Sequence, residues 1–386
     1  MRFVLFGYFL FTGIFSFAQK QQVLRTHIET FRMKVSNDDP RTVRTWSVAP
    51  DVKPDTYVSS GKEVRFITDI DSITIKVSKK KPVVDFIVLY KEKDTCYTRI
   101  RYEEAPNYLG KLKKAAKYNP SDLRTVPEFT YQDSSNAHLR ALRVKYNLDS
   151  IAGEAGEINQ MLNVMHWLHN KVAHDGQHGN PDKMNAEELI KACSDGSRGL
   201  NCRGLAITLN ECFLALGFKS RYITGMPKEL EFDDCHVINM VYSYDLDKWI
   251  YLDPTNDAYV MDEKGTLLGV REVRERLING KPLILNPSAN WNNEEPCVAE
   301  NYLYSYMAKN LYRLQCPVSS EYNYETPVAG GNAVFLELLP LDGLNQTPEK
   351  TEQTSTGVNF TYTNYITNNP ELFWKAPKAE AGKAAQ

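Results

Sequence analysis

The stretch from Cys202 to Asp253 constrains the fold more than any other part of the chain. Leu205, Leu209, Phe213 and Leu216 recur at helical spacing, which predicts a helix that begins near Cys202, with Gly217 where a C-terminal cap belongs. Ser220–Thr224, His236–Tyr244 and Trp249–Asp253 then read as strands. The polar turn Asp245-Leu246-Asp247-Lys248 joins the last two into a hairpin. An apolar helix is thus followed at once by a strand and a hairpin.

Three side chains in this stretch carry chemistry. A thiolate forms more readily at a helix N-terminus, where unpaired N–H groups and the macrodipole favour negative charge, and Cys202 stands there after the loop of Gly196 and Gly199. His236 opens one arm of the hairpin and Asp253 closes the other, so the two fall near each other at its open end. A nucleophilic thiol, a base and a carboxylate that orients the base form a catalytic set. Each residue taken singly has a plainer role: a structural cysteine, a packed strand histidine, an Asp-Pro-Thr turn. Asn201, just before the cysteine, is a candidate oxyanion donor through its amide and equally a helix cap. Cys212, beside Phe213 in the same helix, reads as a buried apolar residue.

Asn201-Cys202-Arg203-Gly204-Leu205-Ala206, Leu216-Gly217-Phe218-Lys219-Ser220-Arg221-Tyr222, Cys235-His236-Val237-Ile238-Asn239 and Lys248-Trp249-Ile250-Tyr251-Leu252-Asp253-Pro254-Thr255 together resemble the transglutaminase-like superfamily, a branch of the papain-like cysteine enzymes. The upstream His166-Trp167-Leu168-His169-Asn170 is also similar, and the resemblance covers about residues 150–285. It implies an α+β, papain-like core, a nucleophile helix packed on an antiparallel sheet, with Cys202 as nucleophile, His236 as general base and acid, and Asp253 as its partner. It further implies an acyl-enzyme on peptide or carboxamide substrates, resolved by water (protease or amidase) or by an amine. Ile238 stands where many members carry an aromatic residue, and no calcium loop is recognisable, so the resemblance favours the triad over cross-linking. The alternative from another class is a catalytically idle binding or surface-assembly module that keeps the fold.

The remainder of the 386 residues bounds this reading. Residues 1–18 read as a signal peptide: Arg2, an apolar run from Phe3 to Phe17, and small residues before Gln19. The expected location is therefore periplasmic or extracellular, with no membrane span after cleavage. A net charge of -2 offers no basic excess for nucleic acid, and the expected partners are peptide or protein substrates, cell-wall peptide among them. The oligomeric state is not legible. Seven cysteines leave at least one unpaired within a chain, and none stands in a CxxC pair, so neither a structural zinc nor any cofactor is expected. His166, His169, His174 and His178 lie close in sequence, but without HExxH they read as structural or exposed rather than as a metal site.

Residues 19–125 form an N-terminal β-rich region. Its first part, to about residue 60, is polar, broken by Pro40, Pro50 and Pro54, and reads as irregular with an early helix. Alternating strands follow from Glu63 and suggest an antiparallel arrangement. The catalytic domain is expected over 130–285, with helices near 139–146, Glu154–Val172, Ala186–Ala192 and Glu272–Ile278. Residues 286–374 read as a C-terminal extension, with strands at Asn332–Leu339 and Val358–Ile366 and a long polar loop, Asp342–Gly357, between them. Its many tyrosines after Asn301 could line a groove, with packing the plainer role. Residues 375–386, rich in Ala, Lys, Gly and Glu, read as a disordered tail.

Overall fold

A computed structural model of the chain describes residues 22–36 and 44–378. The leader read at 1–18, Pro40, and residues 379–386 of the tail lie outside the described residues. With 24% helix and 32% strand, the fold mixes α and β. It divides into two compact units at Pro106–Asn107.

Among the described residues the first unit holds eight strands: β1 (Val23–Thr26), β2 (Thr30–Val35), β3 (Arg44–Ser47), β4 (Asp55–Ser59), β5 (Glu63–Ile67), β6 (Ser72–Lys76), β7 (Val83–Tyr90) and β8 (Asp94–Tyr102). They form two four-stranded sheets, β1-β7-β8-β4 and β3-β2-β5-β6. Period-two burial on both sheets supplies one shared core, in which Phe66 meets Phe86 at 5.1 Å and Trp46 meets Tyr57 at 5.5 Å. Residues 22–59, where an irregular segment with a helix was expected, are instead strands β1–β4. Each alternates over only two or three repeats before a turn, too short for the period to show in sequence. The pairing is also not wholly antiparallel: β1 runs parallel to β7 and β4 parallel to β8.

Residues 107–125, grouped by sequence with the N-terminal region, lie in the second unit and open it with α1 (Tyr108–Lys113). Then come α2 (Ala137–Lys145), α3 (Leu148–Ala152), α4 (Glu157–Lys171), α5 (Ala186–Ala192), α6 (Cys202–Leu216) and α7 (Val270–Asn279). The strands are β9 (Ser220–Met226), β10 (His236–Ser243), β11 (Lys248–Leu252), β12 (Arg313–Pro317), β13 (Asn332–Leu338), β14 (Lys350–Ser355) and β15 (Phe360–Thr367). They make one seven-stranded sheet, ordered β11-β10-β9-β12-β13-β15-β14. The strands read as a C-terminal extension therefore continue the sheet that carries His236. The polar loop expected over 342–357 contains edge strand β14, whose side chains face water on both sides and so lack an apolar alternation.

The α6 helix is buried along its length, which requires its polar residues to be satisfied. Thr208 Oγ1 donates to Gly204 O, Asn210 Nδ2 donates to Ser320 Oγ, and Glu211 accepts from Ala186 N and Asn323 N. Gly217 ends the helix at φ 93°, a left-handed conformation that Gly adopts without a Cβ penalty, and Phe218 N closes onto Phe213 O at 2.9 Å. Leu205, Leu209 and Phe213 pack on Val237, Val241 and Leu252 on one face of the sheet. Ile238, Met240 and Tyr251, on the alternate face, pack with Val273, Leu277 and Tyr302. Among the described residues no helix is long and apolar enough to cross a membrane.

Candidate active site

Cys202 is the first residue of α6. Asn201 caps the helix: its Oδ1 accepts from Arg203 N at 3.0 Å and Gly204 N at 3.2 Å, and also from Asn180 Nδ2 at 2.7 Å. The carboxamide oxygen of Asn201 is thus engaged in holding the helix start. Arg203, next along, turns away to Glu325 (2.6 Å) and Thr224 (3.0 Å). It borders a cleft of about 610 Å³ shared with Gln315, Glu325, Phe335 and Tyr362.

The hairpin register sets Asn239 opposite Leu252, so His236 and Asp253 fall on one face, diagonal to each other at the open end. His236 Nε2–H donates to Asp253 Oδ2 at 2.7 Å, with both side chains buried. The other ring nitrogen, Nδ1, is left for the Cys202 thiol, and His236 is one of the neighbours that act on that thiol. His236 and Asp253 are thus joined directly, with Cys202 within their electrostatic reach.

Asp253 is held from every side. Its Oδ2 also accepts from Tyr302 Oη–H at 2.6 Å and Asn256 Nδ2 at 2.9 Å, and its Oδ1 from Thr255 N at 2.9 Å. Tyr251 Oη–H in turn donates to Tyr302 Oη at 2.5 Å. Burial alone would raise this carboxyl, but the His236 charge and these donors bring it down to about 2. Tyr302 and Tyr306 belong to a π-wound helical turn, Tyr302–Met307, and the Tyr306 ring lies 5.2 Å from the His236 ring.

The electrostatics follow from these contacts. Burial opposes charge on Cys202, yet hydrogen bonds from His174 and His236, the His236 charge and the Val237 N–H overcome it and lower the thiol to about 6. Burial likewise opposes charge on His236, and the Asp253 carboxylate and the sulfur together raise it to about 10. At neutral pH the pair stands as thiolate and imidazolium.

The four clustered histidines go to four separate places. His166 faces Asp257 at 2.8 Å, and His178 faces Asp175 at 2.5 Å. His169 is buried between Pro254 O (3.0 Å) and Asn290 Oδ1 (2.9 Å). His174 is one of the two histidines that lower the Cys202 thiol. Among the described residues no group of three or more His, Cys, Asp and Glu is arranged to hold a metal ion. Among the described residues no two cysteines form a disulfide, and Cys212 is buried as its apolar setting predicts. His174, Asn256 and Tyr302 were not legible as site residues. Asn256 carried a faint signal, because Asp253-Pro254-Thr255-Asn256 is the sequence of a turn that folds back on its own aspartate.

No curated protein matches this chain. A solved structure named "Putative Cysteine Protease" from Cytophaga hutchinsonii is 20% identical, at a TM-score of 0.25. The match covers 42% of this chain and 46% of that one, so the chain spans less than half of that protein's length, and so loose a likeness supports no statement about fold or chemistry. Residues 145–254, which include Cys202, His236 and Asp253, match the model of the Transglutaminase-like superfamily, and the resemblance carried by the sequence motifs stands for that segment.

Proposed function

We propose that this chain is an exported cysteine enzyme of transglutaminase-like type, with a papain-like core, that cleaves peptide or carboxamide bonds. The observation that carries this reading is the buried His236–Asp253 hydrogen bond beside Cys202, with the thiol lowered and the imidazole raised. The Cys202 thiolate attacks the carbonyl carbon, and the oxygen takes up the negative charge. The N–H of Cys202, at the first position of α6, has no acceptor within the helix and is free to meet that charge. As the tetrahedral centre collapses, the C–N bond breaks and imidazolium His236 gives its proton to the leaving amine. The thioester is then attacked by water, whose proton returns to His236, and the acid departs as the thiolate re-forms. Asp253 stays ionised and holds the imidazole by Nε2.

Mass analysis after incubation with peptide libraries, with and without a primary amine, tests the reaction. Cleavage products support a protease, loss of a side-chain carboxamide an amidase, and amine incorporation a transferase. No change in any peptide, together with Cys202 labelling that is unselective and indifferent to His236→Ala, would show an idle module. Cell-wall peptides belong in the library because an exported enzyme would meet them.

The pH dependence has a definite sign. Activity should rise as pH climbs through about 6, where the thiolate forms, and fall as it passes about 10, where His236 loses the proton destined for the leaving group. Alkylation by iodoacetamide, which needs only the thiolate, should show the rise without the fall. An alkylation midpoint near that of an ordinary thiol, at about 8.5, would contradict the ion pair.

A further inference from the structure

Two histidines act on the Cys202 thiol, and only one of them, His236, is hydrogen-bonded to a carboxylate. His174 precedes Cys202 by twenty-eight residues, in the loop that follows α4. Its position is fixed at the backbone: His174 forms a parallel bridge with Leu200, Leu200 N donates to Ala173 O at 3.0 Å, and Asp175 N donates to Leu200 O at 2.7 Å. This approach needs Gly199, since a Cβ there would lie 2.2 Å from Ala173 O. Asn292 clamps the same residue from the far side, accepting from His174 N at 2.7 Å and donating to His174 O at 3.0 Å.

The ring is fixed as well. Trp291 Nε1–H donates to His174 Nδ1 at 3.1 Å. An indole nitrogen can only donate, so Nδ1 must be the acceptor nitrogen, and the proton of the neutral ring must sit on Nε2. Nε2–H is then the one donor the neutral ring can offer the sulfur. From this geometry we infer that His174 is a second catalytic histidine, a neutral N–H donor to the Cys202 thiolate, and that Trp291 is the positioning residue that locks its tautomer. His174 cannot serve as the base, because its only lone pair in the ring plane is taken by the indole. The two imidazoles thus divide the work: His236 carries the proton and His174 holds the negative sulfur without exchanging one.

This inference rests on the reading of Cys202 as a nucleophile, but its tests need no substrate. The other charged or titratable groups that act on the sulfur or face it are His236, Arg203, Cys235 and Tyr306. Asp175, the neighbour of His174, is engaged by His178. Loss of one donor to a charged sulfur should move the iodoacetamide midpoint of His174→Ala upward by about one to two pH units. His174→Gln, which keeps an N–H donor, should recover a substantial part of that shift. A His174→Ala midpoint at the wild-type value, in protein with wild-type near-ultraviolet dichroism, would overturn the proposal.

Nitrogen NMR of histidine-labelled protein reads the tautomer directly. Wild type should show His174 with an unprotonated Nδ1 and a protonated Nε2. Trp291→Phe should lose that single tautomer and show both forms. A protonated Nδ1 in wild type would sink the inference even if Cys202 proved reactive. An unreactive Cys202 beside the expected tautomer would instead defeat the enzymatic reading while leaving the lock intact.

Discussion

Asp253→Asn should lower kcat/KM by about 10³–10⁴, and the manner of the loss follows from how the carboxylate is held. Oδ2 accepts three donors, from His236, Tyr302 and Asn256, whereas Oδ1 accepts one, from Thr255 N. An asparagine therefore places its oxygen at the Oδ2 position and turns its NH₂ toward Thr255 N, so that the His236 hydrogen bond survives. What disappears is the negative charge. Without it the His236 pKa falls from about 10, and with less imidazolium beside it the Cys202 pKa climbs from about 6. The window in which thiolate and imidazolium coexist narrows from both ends, and the pH-activity curve should narrow with it. Tyr302→Phe removes one donor and leaves the charge, so its loss should be nearer tenfold. Steady-state rates across pH, compared with alkylation profiles of the same variants, check both. A folded Asp253→Asn within tenfold of wild type would mean that the carboxylate does not support catalysis here.

The parts of this site that lie in one short run of sequence were legible, and those assembled from a distance were not. Cys202, His236 and Asp253 sit on a helix start and the two arms of one hairpin, where chain order alone brings the open ends of the arms together. The groups that tune them come from farther away. Tyr302 reaches Asp253 across 49 positions, from a π-wound turn that has no sequence period of its own. Trp291 reaches His174 across 117 positions, and nothing in the Gly-rich loop at 174–180 marks one histidine as different from its neighbours. Tyr302 and Trp291 also lie beyond the matched segment, 145–254. In the fold, buried α6 and the hairpin were legible because two-sided burial demands dense apolar patterning. Edge strand β14, exposed on both faces, and the short strands β1–β4 offered too little pattern to read.

Arg221→Ala should be among the most destabilising single changes in the second unit, at about 3–5 kcal/mol. Arg221 is fully buried on β9, and its guanidinium lies 3.7 Å from the Phe129 ring centre and 4.5 Å from that of Trp249. The head donates to Phe373 O at 3.2 Å and contacts Cys316 Sγ at 3.8 Å. One planar cation thus joins the sheet to residue 129 on one side and to the segment at 373 on the other, which a lysine ammonium cannot do. Alanine would lose both stacking contacts, leave a void between two rings and strip a donor from a buried carbonyl. At about 2–4 °C per kcal/mol for a unit of this size, the thermal midpoint should fall by roughly 10 °C. Arg221→Met separates volume from charge: it refills the gap without the donors, so it should recover part of the loss but not all. Equal stability of Arg221→Met and wild type would show that the site needs only volume. A fall of less than about 2 °C in Arg221→Ala would show that the C-terminal segment is held by other contacts. Arg221 pairs with Met240 on β10, four residues past His236, so a folded Arg221 variant should keep the Cys202 alkylation midpoint even as its thermal midpoint drops.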